Sequence, residues 1–274
     1  LWNSHGRTKM KSDTEIEVKA LTPFGPTMLH TNVPLYVIDN YNKYCDKIIT
    51  DKDLSKTYDY SSQLAGNVKQ EFLIDGGFIE SEKNLNNIIM LMAKRMISPG
   101  LRGNEGNLTF SYLKNAPKRS INIKVTEITG TELISMWCVS QYAGDFNPLH
   151  VHSGDLSGVV YLKVPPCIAE ERAKEDHHPA VGDIQFIAGT PQSFSSNNIQ
   201  FIPKVGDLYI FPSWLHHTVY PFRTQDQERR SVAFNLNYKI NIKEVENKNY
   251  HEKMIQREKK NKEKEKDGSL GPTG

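Results

Sequence analysis

The feature that most constrains this chain is a run of short apolar segments between Val125 and Tyr238, each fenced by Gly, Pro, Asn or Asp. Six segments stand out: 133–142, 156–164, 184–187, 198–202, 207–211 and 231–238. β-branched and aromatic residues dominate them, and no 3.6-residue period intervenes between one and the next. Short strands joined by turns resolve into an antiparallel sandwich or barrel. The region 125–242 is therefore expected to be the core of a mostly β fold.

The rest of the chain divides around that core. Residues 1–32 are polar, punctuated by Pro23, Gly25 and Pro26, and read as a loose lead-in; Met10 is a candidate start. In the mixed region 33–124, Pro34–Ile38 reads as a short strand and Asp39 as the N-cap of a helix with Tyr41, Tyr44, Cys45, Ile48 and Ile49 on one stripe. Leu85, Ile88, Ile89, Met92 and Met96 predict a second helix over 81–97, ended by Pro99-Gly100. Both helices are expected to cover one face of the sheet. The last stretch, 243–274, alternates Lys with Glu, so it cannot bury a core and is expected to be a solvated or disordered tail.

Composition narrows the function classes. A formal charge of +2 over 274 residues gives no broad basic surface, so no nucleic-acid partner is expected. No apolar run approaches the ~20 residues that cross a bilayer, and no secretory signal is visible, so no membrane partner is expected either. Three scattered cysteines suit a reducing compartment and a cytoplasmic protein, made by a cell for itself or for a virus.

The nine histidines carry most of the chemical information. His150-Val-His152 places two imidazoles on one face of an extended chain, where both can address one point. A second pair, His216-His217, sits in the apolar run Phe211–Val219, and only one of two adjacent strand residues can face the same point. Arg229 and Ser231 then share one face of the last strand, with Arg230 on the other, where its loss should matter little. Three ligands on one side of a metal leave the opposite side open for substrate and O₂. A buried Arg with a neighbouring Ser hydroxyl is a natural clamp for a planar carboxylate, such as the far end of an iron-chelating α-keto acid. Fe(II) with 2-oxoglutarate fits both halves of the pattern. His177-His178 lies in a polar segment and reads as an exposed loop or lid. His5, His30 and His251 lie in polar ends with no expected role, and Trp137 and Trp214 read as core aromatics.

At this point the chain resembles the Fe(II)/2-oxoglutarate-dependent oxygenases, and within them a prolyl-hydroxylase-like group met in bacteria and in phages of marine cyanobacteria. The resemblance rests on Trp137, Gly144, Asn147–His152, Leu156–Tyr161, Gly206-Asp207, Phe211–Val219, Arg229–Ser231 and Phe234-Asn235. It implies a double-stranded β-helix, or jelly-roll, core of the kind shared with cupins. It also implies His217 as the distal ligand and Arg229 with Ser231 as the 2-oxoglutarate clamp. The general superfamily pattern is His-x-Asp/Glu, whereas this chain has His152 at the carboxylate position, as the resembled group does. Asp155 stays open as an alternate ligand. A His in that position disfavours halogenation, which would require a small residue there. Asn147 and Tyr161 lie near enough to contact 2-oxoglutarate or substrate.

The expected function is thus a dioxygenase, most simply a hydroxylase of a protein or peptide side chain or of a small metabolite. Its cofactors would be Fe(II) and the co-substrate 2-oxoglutarate, with ascorbate as an accompanying reductant. O₂ and an unidentified primary substrate would be its partners. Two other classes stay open: a cupin-like three-His dioxygenase that does not use 2-oxoglutarate, and a non-catalytic β-sandwich binding module. The first would not need Arg229 and Ser231 in phase; the second leaves the converging histidines unexplained.

Overall fold

The structure is a computed structural model that describes residues 5–9, 15–21, 25–96, 124–174, 180–193 and 196–243. The chain falls into two compact units. Residues 1–103 with 130–239 form the first, which holds both apolar cores and the candidate site; 104–129 with 240–274 form the second. His177-His178, His251, Pro99-Gly100 and the Lys/Glu tail beyond Lys243 lie outside the described residues.

Twelve strands lie in two sheets among the described residues. In chain order they are β1 (His5–Lys9), β2 (Glu15–Leu21), β3 (Met28–Asn32), β4 (Gln70–Leu73), β5 (Lys124–Gln141), β6 (Asn147–His150), β7 (Leu156–Lys163), β8 (Ile184–Ile187), β9 (Asn198–Phe201), β10 (Asp207–Pro212), β11 (His216–Val219) and β12 (Arg229–Lys243). The larger sheet runs β1-β2-β3-β10-β7-β12-β5-β4 and the smaller β6-β11-β8-β9. From β5 to β12 the chain repeatedly exchanges sheets, which is the jelly-roll arrangement and places both sheets around one interior.

Alternation along the central strands builds two interiors at once. Leu156, Val160 and Leu162 of β7, Leu208 and Ile210 of β10, and Val232, Phe234 and Leu236 of β12 face one apolar core. Val159 and Tyr161, Tyr209 and Phe211 face the other, with Ile184 and Phe186 of the smaller sheet. Gly158 lets β7 sit this tightly: an added Cβ would fall 2.3 Å from the Phe234 ring and 2.6 Å from the Tyr209 carbonyl.

The first core is closed by two helices, α1 (Leu35–Thr50) and α4 (Lys83–Met96). Three shorter helices are α2 (Lys52–Thr57), α3 (Gly76–Ser81) and α5 (Cys167–Arg172). The stripe expected on α4 is buried as read, and Tyr41, Cys45 and Ile48 of α1 are buried too.

Several expectations are corrected. Residues 34–38 are not a strand, and Asp39 is not an N-cap. Pro34 stands at the N-cap of α1, and Val37 and Ile38 begin its buried stripe. Proline pre-sets the φ of a helix start, and the stripe extends one turn further upstream than Tyr41, which overrides the β preference of Val-Ile. The lead-in is not loose throughout, since it supplies β1, β2 and β3, and β3 pairs with β10. His30 is not idle: its Nε2 lies 2.9 Å from Asp207 Oδ1 and its ring stacks on Tyr209. Part of the polar segment after Pro166 is the short helix α5, anchored by buried Cys167 and Ile168. Trp214 is 55% exposed, in the turn between β10 and β11, and is not a core aromatic. Arg230 is 1% exposed and bonded to Glu228, Asp46 and Asn42, so it matters to the fold. All three cysteines are free and buried, and no described helix is long and apolar enough to cross a membrane.

Candidate metal and co-substrate site

His150 ends β6 and His217 lies on β11, and the two are directly opposed in the antiparallel register. His152 follows β6, and its backbone N–H donates to the Ser213 carbonyl at 2.9 Å, which fixes the turn in place. Strand alternation makes the choice within the second pair: His217 is 3% exposed and faces inward, whereas His216 is exposed. One nitrogen from each of His150, His152 and His217 lies within 4.8 Å of the others, so these three could hold a metal ion.

Two of the rings are oriented by the backbone. His150 Nδ1 is 2.6 Å from the Pro148 carbonyl and His217 Nδ1 is 2.9 Å from the Leu215 carbonyl. A carbonyl only accepts, so each Nδ1 carries the hydrogen and each Nε2 keeps its lone pair. His152 Nε2 stands 3.1 Å from His217 Nε2, a spacing that calls for a shared proton or a metal between the lone pairs. Burial lowers the pKa of all three, His152 to about 3 and His217 well below its ordinary value, and their mutual proximity adds to this for those two. Neutral imidazoles with aligned lone pairs are what metal binding requires. Asp155 is not in this cluster: its Oδ2 accepts the Tyr238 backbone N–H at 2.7 Å and so ties the loop to β12.

The histidines open onto a cavity of about 320 Å³ between the sheets. Arg229, Ser231, Ala233 and Asn235 of β12 line it on alternating positions, as do Trp137, Val139 and Gln141 of β5. Arg229 is 2% exposed and its guanidinium carbon lies 5.0 Å from the centre of the Tyr161 ring. One guanidinium nitrogen, Nη1, donates to Gln141 Oε1. Its Nε makes no hydrogen bond of good geometry among the described residues, and the buried Tyr161 hydroxyl acts on the same guanidinium. Among the described residues no carboxylate forms an ion pair with Arg229, and burial lowers its pKa. A buried cation short of partners is costly unless an anion completes it. A carboxylate from a ligand fits here, with the Ser231 hydroxyl in the same wall. Asn147 also lies in the cavity wall, where its Oδ1 accepts from Gln141 Nε2 at 3.0 Å.

Sequence reading missed three parts of this cavity. Gln141 looks like an ordinary strand end, although it carries the bond that holds Arg229. Trp137 is buried as expected yet faces the cavity, with its ring 5.6 Å from that of His152. Glu71, on the short β4 beside β5, projects into the same space. Its one signal was a lone carboxylate between Gln70 and the apolar Phe72-Leu73, in a stretch not recognised as a strand.

Comparison with known proteins finds one family model and several solved structures that are similar to this chain. Residues 135–235 match the family model described as "Putative 2OG-Fe(II) oxygenase". No curated protein matches the chain. Similar solved structures include a Pseudomonas putida prolyl-4-hydroxylase, at 15% identity and a TM-score of 0.43, covering 76% of this chain and 91% of that one. They also include a Trichoplax adhaerens prolyl hydroxylase solved with a hypoxia-inducible-factor peptide, at 15% identity and a TM-score of 0.34, covering 64% and 63%. A third is a prolyl 4-hydroxylase from Phytophthora capsici, at 10% identity and a TM-score of 0.42, covering 77% and 58%. Residues 135–235, the segment holding all three converging histidines and the buried Arg229, are thus similar to the 2OG-Fe(II) oxygenase family.

Proposed function

We propose that the chain is a hydroxylase in which His150, His152 and His217 hold Fe(II), and Arg229 with Ser231 holds the far carboxylate of 2-oxoglutarate. The observation that carries this reading is the cluster of three imidazoles, two of them tethered to backbone carbonyls, in one cavity with a buried arginine that has no ion-paired carboxylate. When bound, Fe(II) and 2-oxoglutarate supply O₂ activation and the oxidation of a substrate C–H bond, with succinate and CO₂ as by-products.

The protein's own residues then bind, orient and exclude water. The carbonyls of Pro148 and Leu215 fix two ligand tautomers. Tyr161 and Gln141 keep the Arg229 fork from turning, and Tyr161 and Asn147 flank the co-substrate. Apolar Val159, Ile184, Phe211 and Val219 keep the surroundings dry. A cavity of about 320 Å³ must accept 2-oxoglutarate as well as the reacting group. That favours a side chain of a protein or peptide as the primary substrate, with a small metabolite second.

The three-imidazole ligand set by itself would equally suit a cupin-like enzyme, but such an enzyme has no use for the unpaired Arg229. The deciding experiment is anaerobic titration of Fe(II) protein with 2-oxoglutarate, followed by its visible absorption band, then succinate release in air with peptide and small-molecule substrates. A saturable band and substrate-dependent succinate are expected. Metal binding without any response to 2-oxoglutarate would overturn the reading in favour of the cupin-like alternative.

A further inference from the structure

Among the described residues that wall the cavity, Glu71 is the one carboxyl, and it is 2% exposed. Among the described residues neither of its oxygens makes a hydrogen bond of good geometry, and the Asn147 amide offsets only part of the cost of burying it. The loop before β4 closes over it. Gly66 approaches so closely that an added Cβ would lie 2.6 Å from the Asn147 amide nitrogen and 3.1 Å from Glu71 Oε1. The acid is therefore held closely by that loop, with both oxygens buried at the cavity wall. The fold has no other use for it: β4 needs only its backbone, which pairs with Val139 and accepts the Tyr60 N–H at 2.9 Å.

A buried carboxyl offset only in part by one amide is costly to ionise, as is the buried arginine lining the same cavity, and the two are of opposite sign. Val139 is its register partner and Tyr60 is bonded to its backbone, and both line the cavity together with Leu64 and Trp137. Apolar and aromatic walls around one carboxyl suit a methylene stem that ends in a cation, since rings attract the charge and apolar groups cover the stem. Arg229 cannot fill that role, because its Nη1 is held by Gln141.

We propose that Glu71 is the anchor for a cationic group, a guanidinium or ammonium, on the primary substrate. Resting on the hydroxylase reading above, this sets the substrate class: an arginine or lysine side chain, or a small molecule bearing the same group. Glu71 would choose the substrate and would take no part in holding the metal. Burial pushes its carboxyl up to about 7, the Asn147 amide offsets part of this, and the carboxylates of Asp145 and Asp59 add to it. A bound cation would reverse that cost.

The test uses the full chain loaded with Zn(II) and 2-oxoglutarate, with ligand-observed NMR as the readout. The probes are blocked tripeptides with a central Arg, Lys or citrulline, together with agmatine. Wild type should bind the Arg or Lys peptide, or agmatine, at least ~10-fold more tightly than the neutral citrulline peptide. Glu71→Gln should erase that preference. Peptide above agmatine would mark a protein side chain as the source, and the reverse a small molecule. Equal binding of charged and neutral probes by wild type, no binding of any probe, or a preference retained in Glu71→Gln would each overturn the assignment. The wild-type comparison does not depend on the variant folding. The Fe(II)–2-oxoglutarate band separates the two failures: if it forms while the charge preference is absent, only the role of Glu71 falls.

Discussion

The two faces of the eight-stranded sheet are built from the same strands and finished in opposite ways. Toward α1 and α4 the sheet presents Met136, Cys138, Val160, Val232 and Phe234, packed and closed. Toward the smaller sheet it presents Trp137, Gln141, Tyr161, Arg229 and Ser231 around an open cavity. Arg229 and Arg230 make the contrast within one dipeptide. Arg230 donates from Nε and Nη2 to Glu228, from Nη2 to Asp46 and from Nη1 to Asn42, so the protein completes it. Arg229 is equally buried and has no carboxylate within ion-pair distance among the described residues, only the longer-range charge of Asp183, which leaves it able to take an anion from outside. Buried charge supports the fold on one face and marks a ligand site on the other.

The contrast breaks most directly at the ligands. His217→Ala should lower Fe(II) affinity by more than the ~100-fold typical of losing an outer partner, whereas exposed His216→Ala should leave it largely intact. Anaerobic Fe(II) titration of both variants checks this. In the same assay His152→Ala should weaken iron strongly while Asp155→Ala should spare it, since the Asp155 carboxylate is engaged with the Tyr238 backbone. The reverse outcome would restore a carboxylate ligand.

The arginine pair gives the next effects. Arg230→Ala leaves Glu228 and Asp46 with Lys163 as their one shared cation and removes a buried guanidinium's hydrogen bonds, and should cost about 1–3 kcal/mol in denaturant unfolding. Arg229→Ala should cost the fold little, because the protein makes few bonds to it, and should retain Fe(II). Its 2-oxoglutarate affinity should fall by about 2–5 kcal/mol, or roughly 30- to 5,000-fold. Arg229→Lys should recover only part, as an ammonium lacks the planar fork. Equal unfolding losses for the two alanine variants, with 2-oxoglutarate binding unaffected, would erase the distinction between the faces.

Period-2 patterning placed most of the core strands, because each is short, apolar and fenced by turn residues; β8 appears over the very residues 184–187. Alternation required one of His216 and His217 to face inward without saying which; the resemblance named His217, and it is His217 that is buried. Where a local preference competed with tertiary packing, the sequence misled. Val37-Ile38 looks like a strand until the helix stripe of α1 claims it, and β3 looks like a tail until β10 provides a partner. Arg229 and Arg230 are indistinguishable as letters. Only the strand's orientation shows that one meets Glu228 and Asp46 and the other an open cavity. Glu71 was hidden for the same reason, since its chemistry depends on β4 lying beside β5, a pairing 68 residues distant in the register Glu71↔Val139.

The smallest expected effect concerns that residue and sharpens the comparison on the cavity side. Burial raises the Glu71 carboxyl from 4.5 to about 7 in the folded chain, so between those values the folded state holds a proton that the unfolded chain has released. Stability from this group therefore falls as pH rises above 4.5, and the loss is complete above 7. Glu71→Gln has no proton to lose. In protein free of metal and amines, its stability relative to wild type should be near zero at pH 4 and should grow to about 1–3 kcal/mol at pH 8. For a domain of this size that is a rise of several degrees in Tm, measurable by scanning fluorimetry across the pH series. An ordinary surface glutamate would give a flat difference, and a carboxylate with a hidden cation partner would give the opposite slope. A positive slope would show that the fold itself bears the cost of an unpaired acid at the cavity wall, just as it bears that of Arg229.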